Sequence, residues 1–329
     1  MGSESRLKMH SGHLLAHDTT NPSQTTPTSY NNLNRPGQNN TSNKTLLRGT
    51  ASLIIWGSVD GTAVDEEALN AWWTNEHLPE RLAIPGFLRT RRYYAHSHSE
   101  SQSSSSSSHY LVWYEVSSLE TLTSSAYTSA LDDPTPNTKH FMPLLASMNR
   151  SACRLVYSTT RPELLVNTGA GGTLAHIVFQ PPFSLVQRQE LRSWIIDSAW
   201  SAVLAPYHAC LALHFFEHDE HATRAGSSTK SYQAVRFQED QSQTRGASGR
   251  TITEDNTTTS TTTPPPPPNS TTTSTSGGRW MLMLEFAEPL GASFGKAQVI
   301  TDSIVRHLQA LHADNVHARL YGLICALAV

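Results

Sequence analysis

The sequence predicts an α+β fold made of two consecutive β-α-β-β-α-β units whose sheets pack face to face. Three observations lead there. The chain has 329 residues, room for two ordinary domains. Three of its stretches are too polar and repetitive to bury a core. With those set aside, the apolar segments fall into the same order twice, which reads as a duplication.

Residues 1–49 are rich in Ser, Thr, Asn, Pro and His without apolar period, and are expected to form a disordered tail because they cannot offset the entropy of ordering. Ala51–Ser58 (ASLIIWGS) is a strand. Asp65 can N-cap a helix running to about Leu78. Gly86–Ala95 (GFLRTRRYYA) and His109–Val116 (HYLVWYEV) are strands, joined by a loop that a Ser-rich run, 97–108, enlarges. Leu119–Leu131 is a helix and Ala152–Tyr157 a closing strand. This first domain spans 50–160, and a linker, 161–172, ends in the GAGG hinge Gly169–Gly172.

The second domain, 173–329, repeats the order. Thr173–Gln180 is a strand. Ser184 opens a helix, with Gln187 at capping-box spacing and Leu191, Trp194, Ile195 and Ile196 continuing it. Tyr207–Phe216 is a strand. Residues 239–278 carry Thr runs and the proline run Pro264–Pro268, and read as a disordered insert with a short polyproline II piece. Arg279–Ala287 is a strand, Gly295–His312 a helix with Ile300, Ile304, Leu308 and Leu311 at helical spacing, and Asn315–Leu327 the last strand. Each low-complexity insert separates the second strand of its unit from the third. Such a ferredoxin-like unit places both helices on one face of its sheet. Two in tandem cover each other's bare faces as an intramolecular dimeric α/β barrel, whose interior is a natural ligand cavity.

Composition excludes several functions. Net charge is −3 and no basic stripe occurs, so no nucleic-acid partner is expected. No apolar run of about 18 residues and no secretory h-region appear, so the expectation is a cytoplasmic protein with no membrane partner. Cys153, Cys210 and Cys325 lie far apart in apolar runs, without zinc or disulfide spacing. The 16 histidines are scattered and no metal motif is found, so neither a metal nor another cofactor is expected.

One stretch could carry chemistry, Asn70–Tyr94 (NAWWTNEHLPERLAIPGFLRTRRYY). Leu69, Trp72 and Trp73 mark the apolar face of the first helix. The same face, seven and eight residues beyond Leu69, carries Glu76 and His77. Pro79 then ends or distorts the helix, with Glu80 and Arg81 beside it. His77 suits a general acid or base, tuned by Glu76 or Glu80; alternatively it is a structural histidine bonded to a backbone carbonyl. On the next strand Arg89, Arg91 and Tyr93 share one side, and Arg92 and Tyr94 the other. These arginines hold either an acidic substrate group or Glu76, Glu80 or Glu115. Trp73, Tyr93, Tyr94, Tyr110, Trp113 and Tyr114 are either pocket walls for an aromatic ligand or ordinary core.

At these residues the chain resembles the EthD-like family of dimeric α/β-barrel proteins. The motif is a helix ending in W-x-x-x-H (Trp73 to His77), Leu78-Pro79, then Ile84-Pro85-Gly86 before an Arg/Tyr strand. The resemblance covers about Ala51 to Tyr157; the later unit has no counterpart of NEHLPER. It implies enzymes of aromatic polyketide tailoring, among them dehydratases, decarboxylases and cofactor-free oxygenases, and makes His77 the family's inward histidine.

Three expectations result. The first is a cofactor-independent, lyase-type tailoring enzyme acting on a small aromatic metabolite through His77. The second is a non-catalytic binding or scaffold protein of the same fold. The third is an oxygenase or heme-dependent peroxidase. A covalently paired barrel needs no second chain, so a monomer is expected, with a homodimer as the alternative.

Overall fold

The computed structural model describes residues 46–60, 64–95, 107–145, 147–164, 170–232, 235 and 278–329. Residues 1–45, nearly all of the Ser-rich run and nearly all of 239–278 lie outside them. The described strands are β1 (Ala51–Asp60), β2 (Phe87–Ala95), β3 (Ser107–Val116), β4 (Ser147–Thr160), β5 (Thr173–Gln180), β6 (Cys210–His218), β7 (Trp280–Phe286) and β8 (Asp314–Ala328). They close into one barrel in the order β1-β3-β2-β8-β5-β7-β6-β4. Every neighbouring pair is antiparallel. Around it the first four strands run β4-β1-β3-β2 and the last four β8-β5-β7-β6. The two runs meet where β2 pairs with β8 and β4 with β6. Closure leaves no exposed strand edge.

Most strands are covered on both faces and are apolar or aromatic accordingly, and all of β7 is buried, whereas β8 is exposed along about half of its length. Outside the first run lie α1 (Glu66–Trp72), α2 (Leu78–Leu82), α3 (Ser125–Asp132) and α4 (Pro136–Phe141), over Leu53, Ile55, Val112 and Tyr114. Outside the second lie α5 (Leu185–Ser193) and α7 (Leu290–Ala310), over Ile177, Leu213, Phe215 and Leu284. α6 (Glu220–Ser227) lies between β6 and the second insert. A third cluster, with Ile54, Tyr93, Trp113, Leu174, Phe216 and Met283, fills the barrel.

Several boundaries differ from the sequence reading for identifiable reasons. Pro79 does not end the first helix. Proline has no N–H to give, and the turn before it widens to a π form over Trp73–His77, where the Leu78 N–H reaches the Trp73 carbonyl. The chain then continues as α2. Two more widened turns follow α5, Trp194–Ser198 and Trp200–Leu204, the latter just before Pro206. β4 is far longer than Ala152–Tyr157 because its ends are Ser- and Thr-rich. β6 starts at Cys210 rather than Tyr207, since the Cys210 N–H closes a turn on the Tyr207 carbonyl at 2.9 Å. α4 and α6 are additions to the predicted pattern. α6 is capped by Asp219, whose side chain accepts from the Ala222 N–H. No described helix is long and apolar enough to cross a membrane.

Candidate active site

The sheet itself divides the predicted site residues. His77, Trp73, Tyr94, Tyr114 and Arg92 lie on its helix-covered side, while Arg89, Arg91 and Tyr93 lie inside the barrel, so they do not share a cavity.

On the helix side, the widened turn carries His77 under the helices, with only 5% of its surface exposed. Its ring lies 4.9 Å from that of Trp72, which stacks on Phe141 at 5.1 Å. Among the described residues Nδ1 of His77 has no hydrogen-bond partner, so the backbone carbonyl of the structural reading does not bind that atom. The ring borders a cavity of about 20 Å³, with Trp73, Tyr114, Tyr232, Met142 and Met148 among its walls. No acid lines it. Burial, reinforced by the neighbouring Arg81 guanidinium, holds the His77 pKa well below its ordinary value, so the imidazole is neutral. Burial pushes the Tyr114 phenol up and that of Tyr232 up to about 12, while Arg81 pulls both down.

The carboxylates proposed to tune His77 do other things. Glu76 accepts hydrogen bonds from Thr135 Oγ1 and Asn137 Nδ2, both at 2.6 Å, and so fastens the start of α4. Glu80 is partly exposed and lies 3.8 Å from Arg81. Burial raises its pKa, against the pull of Arg81. Arg81, one helical turn beyond His77, is the charged residue that perturbs the imidazole; its i+4 spacing was the available signal. Tyr232 was missed because it follows α6, in a stretch read as leading into the insert.

Arg92 is fully buried. It bonds Asn70 and Thr74 from its two terminal nitrogens and lies over the rings of Trp73 and Tyr110, at 4.7 and 5.0 Å. Tyr94 packs edge-on against Tyr110 at 5.3 Å.

Inside the barrel the arginines have protein partners. Arg89 Nε and Arg91 Nη2 each donate to Oε1 of Glu115 at 2.7 Å. Arg91 Nη1 donates to Glu285 at 2.7 Å, and its guanidinium lies 3.8 Å from the Trp113 ring centre. Nε2 of His214 is 3.0 Å from the same Glu285 oxygen, and its Nδ1 is 2.7 Å from Ser158 Oγ. Both glutamates are held below the usual carboxylate range, because the arginines outweigh the burial that would raise them. Tyr93 is fully buried in this interior, and burial raises its phenol. Of the expected partners Glu115 is present; Glu76 and Glu80 are not.

A larger cavity, about 730 Å³, opens at the end of the barrel. Trp56, His109, His176, Arg279, Arg319 and Tyr321 are among its walls. It was not legible from sequence, since these side chains come from strands far apart in the chain.

No protein-family profile matches the sequence, and no curated protein matches it. The chain is similar to a solved structure described as an anthrone oxidase-like protein, with TM-score 0.50 and 9% identity over 86% of this chain and 95% of that one. It is also similar to a provisionally described monooxygenase from Fusobacterium nucleatum subsp. nucleatum, with TM-score 0.43 and 7% identity over 86% and 96% of the two chains. At such identities the first likeness speaks to the fold alone, an α+β barrel.

Proposed function

We propose that this chain is a cofactor-independent tailoring enzyme acting on an aromatic, polyketide-like metabolite, with His77 as its general base. The observation that carries the reading is the neutral, buried imidazole whose unpartnered Nδ1 lies beside an apolar, aromatic-walled cavity. A neutral imidazole can take a proton from an acidic C–H or a phenol. Arg81, close enough to perturb His77, Tyr114 and Tyr232 alike, would stabilise the resulting anion. Expulsion of a β-hydroxyl from that anion, protonated to water by the imidazolium as the C=C bond forms, is the lyase outcome. Reaction with dioxygen is the alternative, in keeping with the anthrone oxidase-like description of the similar structure. Trp73 and Tyr114 would flank the substrate ring, while Arg89, Arg91 and Tyr93 would act only as framework.

The cavity volume of about 20 Å³ holds roughly one water. A substrate must displace Met142, Met148 or Tyr232, and a porphyrin does not fit. That tight packing favours the second reading, a non-catalytic binding protein. The repeated strand order supports tandem ferredoxin-like units forming an intramolecular dimeric barrel, which functions as a monomer. The EthD-like affiliation rests on the Trp73–His77 and Ile84–Gly86 motif.

The test is incubation of wild type and His77→Gln with an anthrone and with a β-hydroxy aryl ketone, under air and under argon, followed by mass spectrometry. Conversion by wild type that His77→Gln lacks supports the reading, and argon separates dehydration from oxygenation. Equal conversion by the two proteins, or none by either, would sink it.

A further inference from the structure

We propose a second small-molecule site, for a planar aromatic carboxylate, in the cavity at the barrel mouth. Its volume of about 730 Å³ is in the range of pockets that enclose small organic ligands. The walls come from both runs of strands: Trp56 on β1, His109 on β3, His176 on β5, Arg279 preceding β7, and Arg319 and Tyr321 on β8.

The charge balance points to an anion. Two guanidinium groups and three imidazoles, those of His109, His176 and His317, border the cavity, and no carboxylate is among its described lining residues. The field of Arg319 reaches His109, whose pKa it helps burial to lower. Guanidinium groups suit carboxylates because their paired N–H donors match the two oxygens.

The inner wall is aromatic and suits a planar ring. Trp56 and His176 meet edge to face at 4.8 Å, and Tyr321 lies 6.4 Å from His176 on the other side. The Arg279 guanidinium lies 5.5 Å from the centre of the Trp56 ring. His176 is only 3% exposed, and its Nε2 has no hydrogen-bond partner among the described residues. A buried polar atom is ordinarily paired. Here it borders the cavity, as it would if a bound ligand completed the pair.

This site does not depend on the His77 reading. The residues Ile55 and Trp56 are adjacent on β1, yet Ile55 borders the His77 cavity and Trp56 the barrel mouth. One layer of sheet separates the two.

Isothermal titration with 2-naphthoate, and with 2-naphthalenemethanol as its uncharged counterpart, tests the proposal. Wild type should bind the carboxylate in preference to the alcohol and quench tryptophan fluorescence. Arg319 is exposed, so Arg319→Gln leaves the fold intact; it should weaken 2-naphthoate about tenfold or more with little effect on the alcohol. His176→Phe keeps a ring but removes the nitrogen, and should weaken both probes severalfold, while His77→Gln should change neither. No binding of 2-naphthoate to wild type, equal binding to wild type and Arg319→Gln, or loss of binding in His77→Gln would each overturn the proposal.

Discussion

Arg91 and Glu285 stand 194 residues apart and meet at 2.7 Å inside the barrel. The same guanidinium also holds Glu115 at 2.7 Å. One arginine of β2 therefore fastens together two carboxylates from different halves of the chain, all three nearly inaccessible to solvent. Removing it leaves two buried acids in each other's company. Arg91→Met is expected to destabilise the fold by about 3–5 kcal/mol, measured by urea unfolding. Changing Glu115 and Glu285 to Gln in the same protein should recover part of that loss.

Acid should unfold the protein in two stages. Burial holds His77 well below its ordinary pKa, His176 down to about 3 and His218 down to about 4. The unfolded chain takes up these protons first, near pH ~6.5, so this part of the stability is present above that pH and falls away as pH drops below it. Glu115 and Glu285 are also depressed. Their contribution is complete above the ordinary carboxylate pKa, about 4.3, and is lost as pH falls further. Thermal melts from pH 8 to 3 should show both declines. A melting profile for His77→Phe/His176→Phe that keeps the upper decline at full size, rather than reduced to the share of His218, would refute this assignment.

If His77 is the base, its depressed pKa has a kinetic signature. The rate should stay level from pH ~8 to below ~6.5 and fall only under more acid conditions. His77→Gln should cost roughly 10²–10⁴-fold in kcat, with little change in the melting curve at pH 7. An acid limb centred at the ordinary histidine value would assign the proton transfer to another group.

Gly226 on α6 offers a test that needs no substrate. A Cβ there would lie 2.0 Å from Nη2 of Arg150 and 2.6 Å from its Cζ. That guanidinium is buried, bonded to the Thr223 carbonyl and, at 3.2 Å, to the Tyr127 hydroxyl. Gly226→Ala should therefore destabilise by about 1–3 kcal/mol despite the gain in helix propensity. Chemical denaturation measures it, and a neutral result would mean that Arg150 relocates freely.

Much of the frame was legible because strand residues announce themselves. Thr173–Gln180 matches β5, and Arg279–Ala287 overlaps β7 within a residue at each end. The alternation of Arg89, Arg91 and Tyr93 against Arg92 and Tyr94 was also right, since a strand's period is fixed. Which side faced the helices was not available, because a strand buried on both faces gives no polar clue. Glu285, alone among apolar neighbours in RWMLMLEFA, was a signal that passed unused. Its partner Arg91 lies too far along the chain for spacing to find.

Around the barrel, the second run of strands repeats the order of the first. Arg91 and His214 are each the fifth residue of their strands, β2 and β6, and Glu115 and Glu285 each the penultimate residue of β3 and β7. A barrel assembled from two identical chains would have to place the same residue at both positions of each pair. Arginine twice, with Arg89 doubled beside it, would crowd four guanidinium groups around two acids; histidine twice would leave Arg89 and its twin as the only guanidinium partners of the acids. A single chain escapes that constraint. It can carry a guanidinium on one side and an imidazole on the other, and each half is free to vary without obliging its twin to follow.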